Sequence, residues 1–141
     1  MVINLEIYDK IFNILKKFLA DESQYNPIVS KQELRQTDKF PLVVITEEDN
    51  SYLTGTTRFE ETKSRLEYEI NVYATDKNVN GNIVAKQEIA RELVGLIDNV
   101  MSYNLRMTRR SCRPTPNLDN SIYRITIRYR ANLNDNTGKL Y

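Results

Sequence analysis

The stretch Arg65-Leu-Glu-Tyr-Glu-Ile-Asn-Val-Tyr-Ala-Thr75 has the clearest alternation of apolar and polar residues in the chain. Successive side chains of a β-strand point to opposite faces of a sheet, so this period of two predicts a half-buried strand. The residues expected to face the core are Leu66, Tyr68, Ile70, Val72 and Ala74. Those expected on the polar face are Arg65, Glu67, Glu69 and Asn71.

Two amphipathic helices are predicted on either side of this strand. The first begins near Asn4 as N-cap and ends in the polar stretch before Pro27. Its apolar residues recur at helical spacing: Ile7, Tyr8, Ile11, Ile14, Leu15, Phe18 and Leu19. The second spans Ile83 to Tyr103 and carries a broad apolar stripe from Ile89 to Met101. Because Gly95 costs about 1 kcal/mol there relative to alanine, a close contact between helix and sheet is expected at it.

The remaining strands are predicted from apolar runs and turn residues. Phe40 to Ile45 indicates a buried strand that is entered through a proline. Asp49-Asn50-Ser51 is typical of a turn, so a hairpin is expected there, and Tyr52 to Phe59 either returns as a strand or stays a long exposed loop. Thr75 to Asn82 is expected to be a turn segment.

Two last strands complete the predicted fold. Leu105 to Arg113 and Ser121 to Leu133 are joined by the turn region Pro114 to Asn120. The order of helix, strands, helix, strands predicts a single α+β domain over residues 1–141. Its sheet is expected to be mainly antiparallel or mixed, with the two helices packed on one face.

The polar faces of two predicted strands carry opposite charges. Arg124, Arg128 and Arg130 alternate with apolar residues in the last strand, and Glu67 and Glu69 lie on the earlier one. Opposite charges on neighbouring strands stabilise pairing by ~0.2–1 kcal/mol each, so a solvated ladder within one sheet is one interpretation. The other is a contact between subunits of a ring, in which these five residues meet their complements on the next copy.

Composition argues against several site chemistries. The chain has no His, no Trp and a single Cys, so neither a metal cluster, a disulfide framework nor a cofactor is expected. Cys112 is expected to be half-buried; its Arg-rich surroundings could lower its pKa, but no histidine base is present. The carboxylates of Glu47 and Glu48, or Glu60 and Glu61, should point to opposite faces. We expect three aspartates to be isolated residues in turns or on a helix surface, namely Asp76, Asp98 and Asp119. We therefore expect no enzymatic activity.

Charge and hydropathy limit the partners. The net charge is +1, from 20 basic and 19 acidic residues, which gives no overall polycation to hold nucleic acid. The longest apolar runs are far shorter than the roughly 20 residues of a membrane span, and the N-terminus lacks the apolar core of a signal peptide. An intracellular product without a membrane partner is expected. The alternative from another class is a nucleic-acid-binding module in which Tyr123 and Tyr129 stack on bases beside the arginines of the last strand.

Four segments together resemble a known family. They are Phe40-Pro-Leu-Val-Val-Ile-Thr-Glu-Glu48, Leu66-Glu-Tyr-Glu-Ile-Asn-Val-Tyr73, the helix Ala85 to Met101, and Ser121-Ile-Tyr-Arg-Ile-Thr-Ile-Arg-Tyr-Arg130. Their order and spacing resemble phage tail-terminator proteins, also called tail-completion proteins. The resemblance runs from the first helix to about Asn132 and includes the Pro-x-Pro-Asn turn before the last strand.

The resemblance implies a structural virion protein that forms a hexameric ring on the last ring of the tail tube, stops tube growth and presents the head-joining surface. The implied partners are further copies of the chain, the tail-tube protein, and head-tail connector, collar or sheath proteins, with DNA at most passing through the lumen. The implied location is a virion or phage-like tail particle, assembled in the cytoplasm of the bacterial host. A head-tail connector or neck subunit is the alternative within the structural class.

Two stretches are candidates for contact with the tube or the connector. One is the exposed segment 50–62, and the other is the basic stretch that begins at Arg106. The candidate residues are Asn50, Thr54, Thr57, Arg58, Arg109, Arg110 and Arg113. Arginines on a solvated edge strand that oppose aggregation explain the basic stretch equally well.

Overall fold

A computed structural model of the chain describes residues 6–31, 39–52, 63–116 and 119–134. Its helices and strands are α1 (Glu6–Glu22), β1 (Ile28–Ser30), β2 (Leu42–Tyr52), β3 (Lys63–Ala74), β4 (Lys77–Val79), β5 (Asn82–Val84), α2 (Lys86–Asp98), β6 (Thr108–Pro114) and β7 (Tyr123–Asn134). A π-helical segment, Asn99–Asn104, directly continues α2. Among these elements, neither α-helix is long and apolar enough to cross a membrane.

Five strands form the main sheet, in the order β1-β2-β3-β7-β6. β1 runs parallel to β2, and the other neighbouring strands are antiparallel. β3 and β7 pair along their whole length, from Lys63 opposite Asn134 to Ala74 opposite Tyr123. β4 and β5 form a separate two-stranded hairpin. The prediction of an α+β fold with a mainly antiparallel sheet is confirmed.

The core lies between the helices and one face of the sheet. α1 contributes Ile7, Ile11, Leu15 and Leu19, and α2 contributes Ile89, Ala90, Leu93 and Ile97. All five residues of β3 that the alternation predicts to face the core are buried, namely Leu66, Tyr68, Ile70, Val72 and Ala74, and Ser64, Asn71 and Tyr73 of the same strand are buried as well. Each fully buried Leu or Ile stabilises the fold by about 1.5–3 kcal/mol, so this face supplies most of the driving force for folding.

The second helix differs from its prediction at its start and at its glycine. Ile83 belongs to β5, and α2 begins at Lys86, whose backbone N–H donates to Asp76 Oδ1 over 2.9 Å. Asp76 thus satisfies one of the free N–H groups at the start of the helix and is not isolated. The expected contact at Gly95 is wrong, since this glycine is exposed and a Cβ built on it has no heavy atom within 4 Å. Asn4, the expected N-cap of α1, lies outside the described residues.

Both internal turn predictions need correction. The turn predicted at Asp49-Asn50-Ser51 is wrong, because β2 continues to Tyr52 through a bulge between Glu47 and Asp49. The connection between β2 and β3 falls in residues 53–62, outside the described part of the chain. The segment predicted as a turn from Thr75 to Asn82 contains most of the β4–β5 hairpin. Asn80 and Gly81 form its loop, with φ values of 53° and 87°.

Candidate functional site

The sheet face turned away from the helices carries the charged residues singled out in the sequence, and we call it the outer face. β3 presents Glu67, Glu69, Asn71 and Tyr73 there, and β7 presents Arg124, Thr126, Arg128 and Arg130. The strand register places Glu67 opposite Arg130 and Glu69 opposite Arg128. The five residues proposed for a subunit contact therefore share one surface.

Glu69 is the centre of an ion-pair cluster on the outer face. Its side chain is only 14% exposed, and its Oε2 lies 3.3 Å from Nη2 of Arg128. Its Oε1 lies 3.8 Å from Nη2 of Arg124 and accepts a 3.0 Å hydrogen bond from Asn71 Nδ2. The ladder within one chain is thus present for Glu69, Arg124 and Arg128. The Arg128 side chain is still 56% exposed, so this ladder is compatible with a contact to another chain.

A hydrogen-bonded network fixes the β7 side of the outer face. Asn71 and Thr126 are both buried there. Asn71 Oδ1 accepts from Thr126 Oγ1 at 2.6 Å and from Arg124 Nε at 3.0 Å, and the hydroxyls of Thr115 and Thr126 lie 2.6 Å apart. The guanidinium of Arg124 also lies 5.4 Å from the ring centroid of Tyr73. Satisfied buried networks of this kind rigidify a surface.

Two adjacent carboxylates at the bulge of β2 point to opposite faces of the sheet. Glu47 accepts a 3.0 Å hydrogen bond from the hydroxyl of Tyr68, on the helix side of the sheet. Glu48 interacts instead with Glu69 on the outer face. Partial desolvation raises the pKa of Glu48, as do its hydrogen bond with Glu69 and the charge of Glu67, while Arg128 lowers this pKa. The opposite orientation expected of Glu47 and Glu48 is confirmed, but sequence reasoning missed the proximity of Glu48 to Glu69.

Asp98 accepts hydrogen bonds from three side chains and is not the isolated residue that was expected. Its Oδ1 accepts from the Tyr129 hydroxyl at 2.8 Å and from Ser102 Oγ at 2.9 Å, and its Oδ2 accepts from Arg109 Nη1 at 3.2 Å. Tyr129 is 1% exposed, and burial raises its pKa strongly. The alternative in which Tyr129 stacks on a base beside the arginines is therefore wrong, because this ring lies on the helix side of the sheet.

The third predicted isolated aspartate, Asp119, also has partners. Its Oδ1 accepts from the backbone N–H of Ser121 at 2.9 Å and from its hydroxyl at 2.7 Å. These hydrogen bonds lower the pKa of Asp119. Together they stabilise the turn that leads into β7.

The basic stretch forms the edge strand β6. Arg109 pairs with Asp98, whereas Arg110 and Arg113 line two neighbouring clefts on the sheet. The first cleft, of about 390 Å³, is lined by Glu48, Glu67, Tyr68, Arg110, Ser111, Arg128 and Tyr129. The second, of about 320 Å³, is lined by Glu69, Arg113, Pro114, Thr115, Pro116, Arg124, Thr126 and Arg128. Acidic and basic side chains therefore alternate across this part of the surface.

The candidate tube-contact residues are only partly brought together. Asn50 lies in β2 opposite Leu66 and is partly buried, so it does not belong to an exposed loop as expected. β2 and β6 are separated by β3 and β7, which places Asn50 away from the β6 arginines. The other candidates in this segment, Thr54, Thr57 and Arg58, lie outside the described residues.

Cys112 differs from its prediction in both exposure and acidity. It lies on β6 opposite Ile127 and is exposed, whereas half-burial was expected. Partial desolvation raises the pKa of its thiol, and the charge of Asp98 raises it further, although Arg109 lowers it. The expected lowering by surrounding arginines is therefore outweighed.

Comparison with known proteins adds no identification. No protein-family model matches the chain, and no curated protein matches it either. Within the described ranges, no group of three or more metal-ligating side chains is arranged to hold an ion.

Proposed function

We propose that this chain is the ring subunit that caps the tail tube of a phage or phage-like tail. The ring ends tube elongation and presents the surface to which the head connector joins. The observation that carries the proposal is that the two faces of the sheet differ. Helices cover one face, and the outer face presents acidic and basic side chains next to each other. The sequence resemblance to tail-terminator proteins supports the same role.

A closed ring needs two complementary surfaces on every subunit. The outer face offers both signs of charge, with Glu48 and Glu67 around one cleft and Arg113 and Arg124 around the next. Complementary potentials of this kind fix the register between partners and disfavour wrong pairings more than they add affinity. Closure of the ring on the tube itself supplies the remaining affinity, since binding to an assembled template stabilises the ring by mass action.

The edge strand β6 fits the requirement that tube growth stops at this protein. It is the edge strand of the sheet, and three of its seven residues are arginines, at positions 109, 110 and 113. An edge strand with unpaired backbone groups accepts further strands unless charges oppose them. The β6 arginines therefore favour a surface that binds selected partners and rejects another copy of a tube subunit.

Deleting the gene and measuring tail length by electron microscopy tests the proposal. We expect tails of widely varying length that fail to join heads, and restoration of uniform tails by the wild-type chain supplied in trans. Tails of normal length that fail only to join heads would contradict tube capping and would indicate a connector or neck subunit.

A further inference from the structure

The second cleft of the outer face has the composition of an anion-binding site, and we call it the arginine cleft. Its charged lining consists of Arg113, Arg124, Arg128 and Glu69. Three guanidinium groups against one carboxylate leave an excess of positive charge in a concavity of about 320 Å³. Thr115 and Thr126 line the same space, and their hydroxyls lie 2.6 Å apart. Because a concave charged site focuses its field, an anion is attracted to this point of the surface.

Two side chains of the arginine cleft, Arg124 and Glu69, are held in place before any ligand binds. Arg124 donates its Nε–H to Asn71 and packs its guanidinium over Tyr73, which leaves its terminal nitrogens directed to the Glu69 side. Glu69 is fixed in turn by Asn71. Ligand binding to preorganised groups loses less conformational entropy than binding to mobile ones. Arg113, in contrast, is exposed, and no ion pair to it occurs among the described residues.

We propose that the arginine cleft binds a carboxylate side chain from an acidic segment of a partner protein. A planar guanidinium matches a carboxylate through two parallel N–H···O bonds, which gives both affinity and orientation. Arg113 supplies the guanidinium that is free to rearrange, and Arg124 supplies the fixed one. The proposal deepens the capping function and rests on it for the identity of the partner, which would be a neighbouring protein of the tail particle.

The surroundings of the arginine cleft favour a protein carboxylate over nucleic acid. Arg128 also borders the first cleft, where Glu48 and Glu67 lie. A phosphodiester chain that continued along the outer face would pass Glu69 and then these two carboxylates, and each of the three would repel its phosphates. Pro114 and Pro116 provide an apolar wall for the stem of an acidic side chain. A single inserted carboxylate therefore fits better than a continuous polyanion.

Fluorescence anisotropy with a labelled tetraglutamate peptide tests this proposal on the full chain. Arg113→Gln should weaken binding about tenfold, the loss expected for one charge-assisted contact. Arg91→Gln, on the exposed side of α2, removes the same charge away from the cleft and should change the affinity by no more than about twofold. Because Arg113 is exposed and lacks a described ion pair, the variant should fold, which thermal melting verifies.

Three results would overturn the proposal. They are equal weakening by Arg113→Gln and Arg91→Gln, tighter binding of a thymidine oligonucleotide than of tetraglutamate, and no peptide binding up to roughly 1 mM. The peptide assay uses isolated protein and the deletion experiment uses particles, so the two claims fail separately. Normal tail length after deletion would remove the capping function and leave the cleft, whereas absent peptide binding with abnormal tails would remove the cleft alone.

Discussion

Reversing the charge of Arg128 separates a ladder within one chain from a contact between subunits. In the folded chain Arg128 of β7 lies opposite Glu69 of β3, with 3.3 Å between Arg128 Nη2 and Glu69 Oε2. The Arg128→Glu variant replaces this ion pair by two facing carboxylates, near a third acidic side chain at Glu48. The variant therefore changes the charge of the outer face without touching the core.

The stability change of the isolated subunit should be modest. The Arg128 side chain is 56% exposed, so loss of its pair with Glu69 costs about 0.2–1 kcal/mol. Like charges directly opposite each other on neighbouring strands cost a similar amount, about 0.2–1 kcal/mol. The sum, roughly 0.4–2 kcal/mol, should lower the melting temperature by about 2–8 °C. In a ring the same repulsion would recur at every subunit contact and oppose closure.

The assay compares thermal melting of the isolated variant with the length of tails formed when it replaces the wild-type chain. If the outer face contacts a neighbouring subunit, Arg128→Glu should fold, with a melting temperature lowered by no more than about 2–8 °C, and still give tails of uncontrolled length. Arg91→Glu, with the same charge change on α2, should terminate tails normally. A folded Arg128→Glu variant that ends tails at wild-type length would refute the subunit contact and leave only the ladder.

Three further predictions concern stability and reactivity. Tyr129→Phe removes a hydrogen bond to Asp98 and should lower the unfolding free energy by about 1–2 kcal/mol in urea denaturation. The control Tyr103→Phe, at a residue that is 76% exposed, should change this free energy by less than about 0.5 kcal/mol, and equal effects of the two variants would contradict the buried network. Gly95→Ala should stabilise the chain by about 0.5–1 kcal/mol, and a loss would show an unseen contact. Cys112 should react slowly with a thiol reagent at neutral pH despite its exposure, and a reaction midpoint below the ordinary thiol pKa would be inconsistent with its desolvation.

The alternating strands were predictable because one face of each is buried against helices. In β3 and β7 the period of two reports burial directly, so the sides taken by Leu66 and Glu67 follow from the sequence. The pairing of Glu69 with Arg128 depends on register, which the alternation does not specify. Alternation also cannot give the order of strands, so the adjacency of β3 and β7 had to come from the structure.

The wrong predictions of turns and strands fall on short polar stretches whose residues are compatible with either structure. Asp49-Asn50-Ser51 has the residues of a turn, but after the bulge that follows Glu47 this polar stretch continues as a strand paired with β3. The β4–β5 hairpin had a signal that was overlooked, since Asn80-Gly81 is the preferred pair for a two-residue loop in which both residues have positive φ. Its strands are only three residues long and too short to show alternation.

The arginine cleft could be predicted only in part. The basic stretch and the alternation in β7 indicate that Arg113 and Arg124 lie on exposed strand surface. Their convergence requires the pairing of β6 with β7, in which Arg113 lies opposite Thr126. The fixed orientation of Arg124 depends on Asn71, which is 53 residues away along the chain. A network between such distant residues has no local sequence signal.

Locating the protein in assembled particles tests the capping function most directly. Cryo-electron microscopy of tails that carry the wild-type chain should show it as a closed ring of several copies, at the end of the tube that meets the head. In the same map, Arg128 and Glu67 of the outer face should lie at or near the boundary between copies. A single copy per tail, or a position anywhere along the tube other than its end, would contradict the account.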